Sequence, residues 1–170
     1  VKSIGSDAFS FCITLKEINL DYITNISNDA FGSCYSLREV NAPLVTEILP
    51  GTFSGCSSMV SVDITSAVSI SGDGFSYCTS LTDIKMPNVV SIGNYSAFFD
   101  CNKLKSVDAP SLTTIGAMAF YQCSSLKSVN MPNLKTTDYN VFVDCVSLES
   151  VNVPSLTTIG VLLNARKHKP

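Results

Sequence analysis

The sequence predicts an α/β repeat: a solenoid of about seven coils of 22–23 residues, each with one short strand and one helical or 3-10 turn, the strands aligned as a parallel sheet on the concave face. Three observations predict it. Seven cysteines (Cys12, Cys34, Cys56, Cys78, Cys101, Cys123 and Cys145) stand 22, 22, 22, 23, 22 and 22 residues apart. Three residues before each stands a phenylalanine: Phe9, Phe31, Phe53, Phe75, Phe98, Phe120 and Phe142. Three residues after each stands an apolar side chain: Leu15, Leu37, Met59, Leu81, Leu104, Leu126 or Leu148. Independent columns that keep one register over seven copies are the signature of a coil that buries its apolar side only by stacking on its neighbours.

Each element of the coil follows from a spacing. Beyond the Leu column come Ile18, Val40, Val62, Ile84, Val107, Val129 and Val151, and two residues later Leu20, Ala42, Ile64, Met86, Ala109, Met131 and Val153. A spacing of two puts both columns on the inner face of one strand, and L-x-x-I-x-L is leucine-rich-repeat grammar. The spacing of three from Phe to Cys to Leu predicts a helical or 3-10 turn that returns the chain. Pro43, Pro87, Pro110, Pro132 and Pro154 directly follow the strand; lacking an N–H, proline ends pairing and starts a bend. Gly5, Gly93, Gly116 and Gly160 are expected to relax the other bend. The single 23-residue step comes from an insertion at Asn94-Tyr95-Ser96. The expected organisation is a solenoid over 1–160 and a cap or basic tail over 161–170. The start at Val1 looks uncapped, from which further preceding repeats are expected.

Composition excludes several functions. With 45% hydrophobic and 15% charged residues in 170, the chain is too apolar to be disordered and long enough for a core. Its net charge of -3 opposes nucleic-acid binding, and three of its eleven basic residues (Arg166, Lys167, Lys169) sit in the last five positions. The one histidine, His168, is there too, which removes most His-based catalysis and metal binding from the body. No apolar run approaches the ~18 residues of a membrane span. A straight file of single cysteines cannot converge on zinc, lacks an activating base, and is poorly disposed for disulfides between side chains that point the same way. Buried free thiols acting as small apolar groups are expected. No cofactor, metal or catalytic residue is expected, and the sequence leaves the oligomeric state open.

The stretch Ile115-Gly116-Ala117-Met118-Ala119-Phe120-Tyr121-Gln122-Cys123-Ser124-Ser125-Leu126-Lys127-Ser128-Val129 resembles the BspA-like leucine-rich repeats. The resemblance covers about residues 1–160. It implies surface or secreted proteins of host-associated bacteria and some parasitic protists, with roles in adhesion and in binding host proteins. A non-catalytic binding module at the cell surface or outside the cell is therefore expected, with a protein partner such as a host extracellular protein. A structural spacer that presents another domain is the alternative.

If the strands stack, the residues alternating with the inward ones form outward columns. The central one is Asn19, Asn41, Asp63, Lys85, Asp108, Asn130 and Asn152. Beside it run Glu17, Glu39, Ser61, Asp83, Ser106, Ser128 and Ser150, then Lys16, Arg38, Val60, Thr82, Lys105, Lys127 and Glu149. The central column and Arg38 are the candidate binding residues, with Tyr95 of the insertion as an exposed anchor. A solvated ladder of mutually bonded Asn side chains is the competing reading of the same column. Tyr35, Tyr77 and Tyr121 are further exposed tyrosines near the turns, and Asn25-Ile26-Ser27 and Asn94-Tyr95-Ser96 are glycosylation sequons.

Overall fold

The protein is described by a computed structural model that covers residues 2–93 and 95–160. Expectations for Asn94 and for the segment 161–170, including its histidine and basic residues, lie outside the described residues.

Each coil carries two strands rather than one. The first series is β3 (Glu39–Asn41), β5 (Ser61–Asp63), β7 (Asp83–Lys85), β9 (Ser106–Asp108), β11 (Ser128–Asn130) and β13 (Ser150–Asn152). These pair in parallel, each with the next coil, as one six-stranded sheet. Its register, Val40↔Val62 and Val107↔Val129↔Val151, is the one the apolar columns impose. The first coil joins it through a bridge from Asn19 to Asn41. The second series is β4 (Glu47–Ile48), β6 (Ser69–Ile70), β8 (Ser91–Ile92), β10 (Thr114–Ile115), β12 (Thr136–Thr137) and β14 (Thr158–Ile159), again six-stranded and parallel. At the start of the chain β1 (Ser3–Ile4) pairs with β2 (Asn25–Ile26) in the same manner.

No helix occurs among the described residues, so the expected α/β class is corrected: the fold is a β-solenoid of about seven turns. The reason is a pair of left-handed residues in every coil. Two positions before each Phe stand Asp7, Asp29, Gly51, Asp73, Ser96, Met118 and Asn140, and two positions after stand Phe11, Ser33, Gly55, Tyr77, Asp100, Gln122 and Asp144; all have φ between 54° and 74°. A left-handed residue every fourth position cannot continue a right-handed helix. The spacing of three comes from successive β-turns, in which the Ser10 amide donates to the Asp7 carbonyl at 3.0 Å and the Cys12 amide to that of Phe9 at 3.0 Å. The intervening amides of Asp7, Phe9 and Phe11 donate instead to the next coil, at 2.8–3.1 Å. The turn arc is thus a third ladder between coils.

Prolines behave as expected. Pro43 follows β3 inside a turn closed by the Val45 amide on the Ala42 carbonyl at 3.2 Å, and Pro110, Pro132 and Pro154 occupy equivalent turns. The glycine column does not use left-handed backbone; at Gly160 the missing Cβ is what matters, since one there would clash with the Asp138 carbonyl. Gly5, Gly93, Gly116 and Gly160 keep negative φ, and the left-handed glycines are Gly51 and Gly55.

The core is a file. Phe31, Phe53, Phe75, Phe98 and Phe120 have no exposed surface, and Phe9 and Phe142 at the ends are half-buried. Successive rings lie 5.0–5.7 Å apart and within 15° of parallel. Burying each contributes ~1.5–3 kcal/mol. All seven cysteines are free, six buried and Cys12 exposed. Each buried thiol also donates to the carbonyl of the Phe one coil earlier: Cys56 Sγ to Phe31 O and Cys78 Sγ to Phe53 O, both at 3.2 Å. The thiol is therefore a tie between coils as well as an apolar filler.

Candidate binding face on the three-residue strands

The strand alternation places the candidate column on one exposed face. Asn41, Asp63, Lys85, Asp108, Asn130 and Asn152 are register partners in succession, and Asn19 bridges to Asn41. Asn41, Asp63, Lys85 and Asp108 each point away from a buried residue of their own strand, as the exposed–buried–exposed pattern of β3, β5, β7 and β9 requires, whereas β13 at the end of the stack is exposed throughout.

The column is partly self-satisfied. Asn152 donates from Nδ2 to Asn130 Oδ1 at 2.7 Å, and Asn130 donates to Asp108 Oδ1 at 2.7 Å. At the other end Asn19 and Asn41 both donate to the Asp21 carboxylate, at 3.2 and 2.6 Å. Asp21 stands where other coils carry the proline that follows the strand, and its carboxylate, on a coil without that proline, is the signal that marks it as an end of the ladder. Asp63 accepts from the Thr65 amide at 3.1 Å and so braces its own turn.

The face is open over its first four coils. A shallow groove of about 530 Å³ runs over Glu17, Glu39, Asn41, Ser61, Asp63, Asp83 and Lys85, floored by Ile18, Val40 and Val62. Arg38 borders a second depression of about 330 Å³ with Lys16, Glu17 and Glu39. The structure thus gathers Asn41, Asp63 and Lys85 at one groove and puts Arg38 beside it. Asp108, Asn130 and Asn152 form the bonded ladder further along.

Tyr95 lies elsewhere. It is exposed, holds a left-handed φ of 70°, and its carbonyl accepts from the Asp73 amide at 3.0 Å. The Tyr95 side chain raises the phenol of exposed Tyr139 above its ordinary value. Tyr95 therefore belongs to the turn arc and not to the strand face.

A third depression, about 410 Å³, lies on the two-residue strands over Ser91, Thr114, Thr136 and Asp138. The recurring Ser-Ile and Thr-Ile pairs of these strands (Ser69-Ile70, Ser91-Ile92, Thr114-Ile115) keep the coil period and were the signal for that sheet. Among the described residues no group of His, Cys, Asp and Glu side chains could hold a metal ion. No described helix is long and apolar enough to cross a membrane.

This geometry has relatives among solved structures. A leucine-rich repeat protein of T. pallidum superposes with a TM-score of 0.73 at 26% identity, over 86% of this chain and 71% of that one. A leucine-rich repeat protein of Bacteroides ovatus gives 0.67 at 25% identity, over 94% of this chain; the chain spans 54% of that protein's length. A search of curated proteins returned no match. The family model described as "BspA type Leucine rich repeat region" matches in six copies over residues 1–95 and 46–165. The chain belongs to the BspA-type leucine-rich repeat family.

Proposed function

We propose that the chain is a non-catalytic protein-binding module of a secreted or surface-attached protein, and that it engages its partner through the three-residue-strand face. Adhesion to a host extracellular protein is the role proposed for it. The observation that carries the reading is the open groove at Asn41, Asp63 and Lys85, flanked by Arg38, on a face that a repeat family of interaction modules offers to partners. No nucleophile–base pair accompanies it, so no reaction is assigned to it. A substitution set of Asn41→Lys, Asp108→Lys and Asn130→Lys reverses or crowds the face without touching the core. Immobilised protein is expected to retain a component of host extracellular matrix, and the substituted protein to lose it. Equal retention by both rejects the face as the site.

One observation favours a spacer as the second reading. The face carries no aromatic side chain, and its Asp108–Asn130–Asn152 ladder satisfies itself, whereas binding hot spots are enriched in Trp, Tyr and Arg. A spacer would retain nothing above a blank matrix.

A further inference from the structure

The aromatic side chains absent from the strand face are gathered on the turn arc. Tyr77 and Phe99 lie 5.2 Å apart, edge to face at 61°, and Phe99 and Tyr121 lie 5.4 Å apart, stacked at 8°. Tyr77 is 50% exposed, and Phe99 and Tyr121 are half-buried. The backbone fixes their order. The Tyr77 amide donates to the Phe99 carbonyl at 2.7 Å and the Asp100 amide to the Tyr121 carbonyl at 2.9 Å. The column Tyr77, Asp100, Gln122, Asp144 therefore runs directly alongside the column Phe99, Tyr121, Val143. This is a contiguous aromatic ridge, half exposed at Tyr77 and half-buried at Phe99 and Tyr121, and a contiguous apolar patch at a surface marks a contact site.

Charge says what would cover it. The turn arcs, residues 5–12, 27–34, 49–56, 71–78, 93–101, 116–123 and 138–145, contain no Lys or Arg. They contain Asp7, Asp29, Asp73, Asp100, Asp138 and Asp144. The cations of the strand face, Lys16, Arg38, Lys85, Lys105 and Lys127, lie in the other half of each coil, and the cation nearest to the ridge in sequence is Lys103. Anionic partners are therefore repelled. A guanidinium both stacks on an aromatic ring and pairs with a carboxylate in two-point geometry.

We propose that the ridge Tyr77–Phe99–Tyr121, with Asp100 beside it and Asp144 one coil beyond its Tyr121 end, is a second docking surface, and that its occupant is a polypeptide segment that presents arginine between apolar side chains. It is separate from the strand face and does not depend on that face being a site.

The test is calorimetric titration of the full chain with a nine-residue peptide alternating Arg and Leu, against an equivalent Glu–Leu peptide. The Arg–Leu peptide is expected to bind saturably and the Glu–Leu peptide not at all. Asp100→Asn with Asp144→Asn leaves the left-handed turns intact, because Asn tolerates them as Asp does; it is expected to weaken binding at least tenfold, as is Tyr77→Ser. The strand-face set Asn41→Lys, Asp108→Lys, Asn130→Lys is expected to bind the peptide undiminished. Absence of saturable Arg–Leu binding at millimolar peptide, equal binding of the Glu–Leu peptide, or unchanged affinity of both ridge variants overturns the proposal. Loss of binding in the strand-face variant alone would assign the peptide to that face and overturn it equally.

Discussion

Phe75 has no exposed surface and sits 5.5 Å from Phe53 and 5.3 Å from Phe98. Phe75→Ala removes both contacts and leaves a cavity that parallel backbones on both sides cannot close. A loss of ~3–5 kcal/mol is expected, read as a lower urea midpoint; an unchanged midpoint would take Phe75 out of the core. The cysteines make a second prediction at this scale. Burial pushes the thiols of Cys34, Cys56, Cys78 and Cys101 upward, that of Cys78 to about 12. The neighbouring Cys145 thiol, and then burial, raise Cys123. An unfolded thiol loses its proton near pH 8.5, so above that pH the unfolded state binds fewer protons than the folded one and stability falls as pH rises. The loss is expected to begin near pH 8–9 and continue toward the folded value of about 12, at up to ~1.4 kcal/mol per pH unit for each thiol. In native protein a water-soluble thiol reagent is expected to modify exposed Cys12 and to reach the other six only after unfolding; seven reactive native thiols would contradict the file. Sequence alone identified these columns as interior, because burial follows from residue type and period. It missed the thiol donors, since a bond from Cys56 to a carbonyl 25 residues earlier exists only once the coils are stacked.

At the scale of elements, the same period of three fits a helix and a chain of β-turns equally well. Side-chain spacing therefore could not separate them, and the helical expectation failed there. The separating signal was in a different column. Asp7, Asp29, Gly51, Asp73 and Asn140 recur two residues before Phe, and Asp, Asn and Gly are the residues that tolerate left-handed backbone. Gln122 tests the geometry. Its side chain is exposed and its φ is 61°, so Gln122→Gly relieves a left-handed cost of ~1–2 kcal/mol, offset in part by the unfolded-state entropy of glycine. A raised urea midpoint is expected. In a helix the same substitution would lower stability by close to 1 kcal/mol, so a fall would restore the helical turn. The second strand series escaped notice for a related reason: two residues, such as Ser91-Ile92, are too few to show an alternation.

In the whole molecule three ladders run along the stack, two of strands and one of turn amides, around one file of rings. The stacking itself was legible because the apolar columns keep one register over seven coils, and a one-residue slip would turn every inward side chain outward. The candidate face was legible to the same depth: alternation identified the column from Asn19 to Asn152. The groove over its first four coils depended on which side chains bond to one another, which spacing does not encode. The aromatic ridge was legible only as scattered tyrosines, because Phe99 joins Tyr77 to Tyr121 from the adjacent column. The measurement that tests this architecture most directly is the set of nuclear Overhauser contacts among phenylalanine rings in selectively labelled protein. Phe75 is expected to contact the rings of Phe53 and Phe98 and no other core ring, and every interior Phe likewise its two neighbours 22 or 23 residues away. Rings in separate environments, or contacts that skip a coil, would contradict the stacked file.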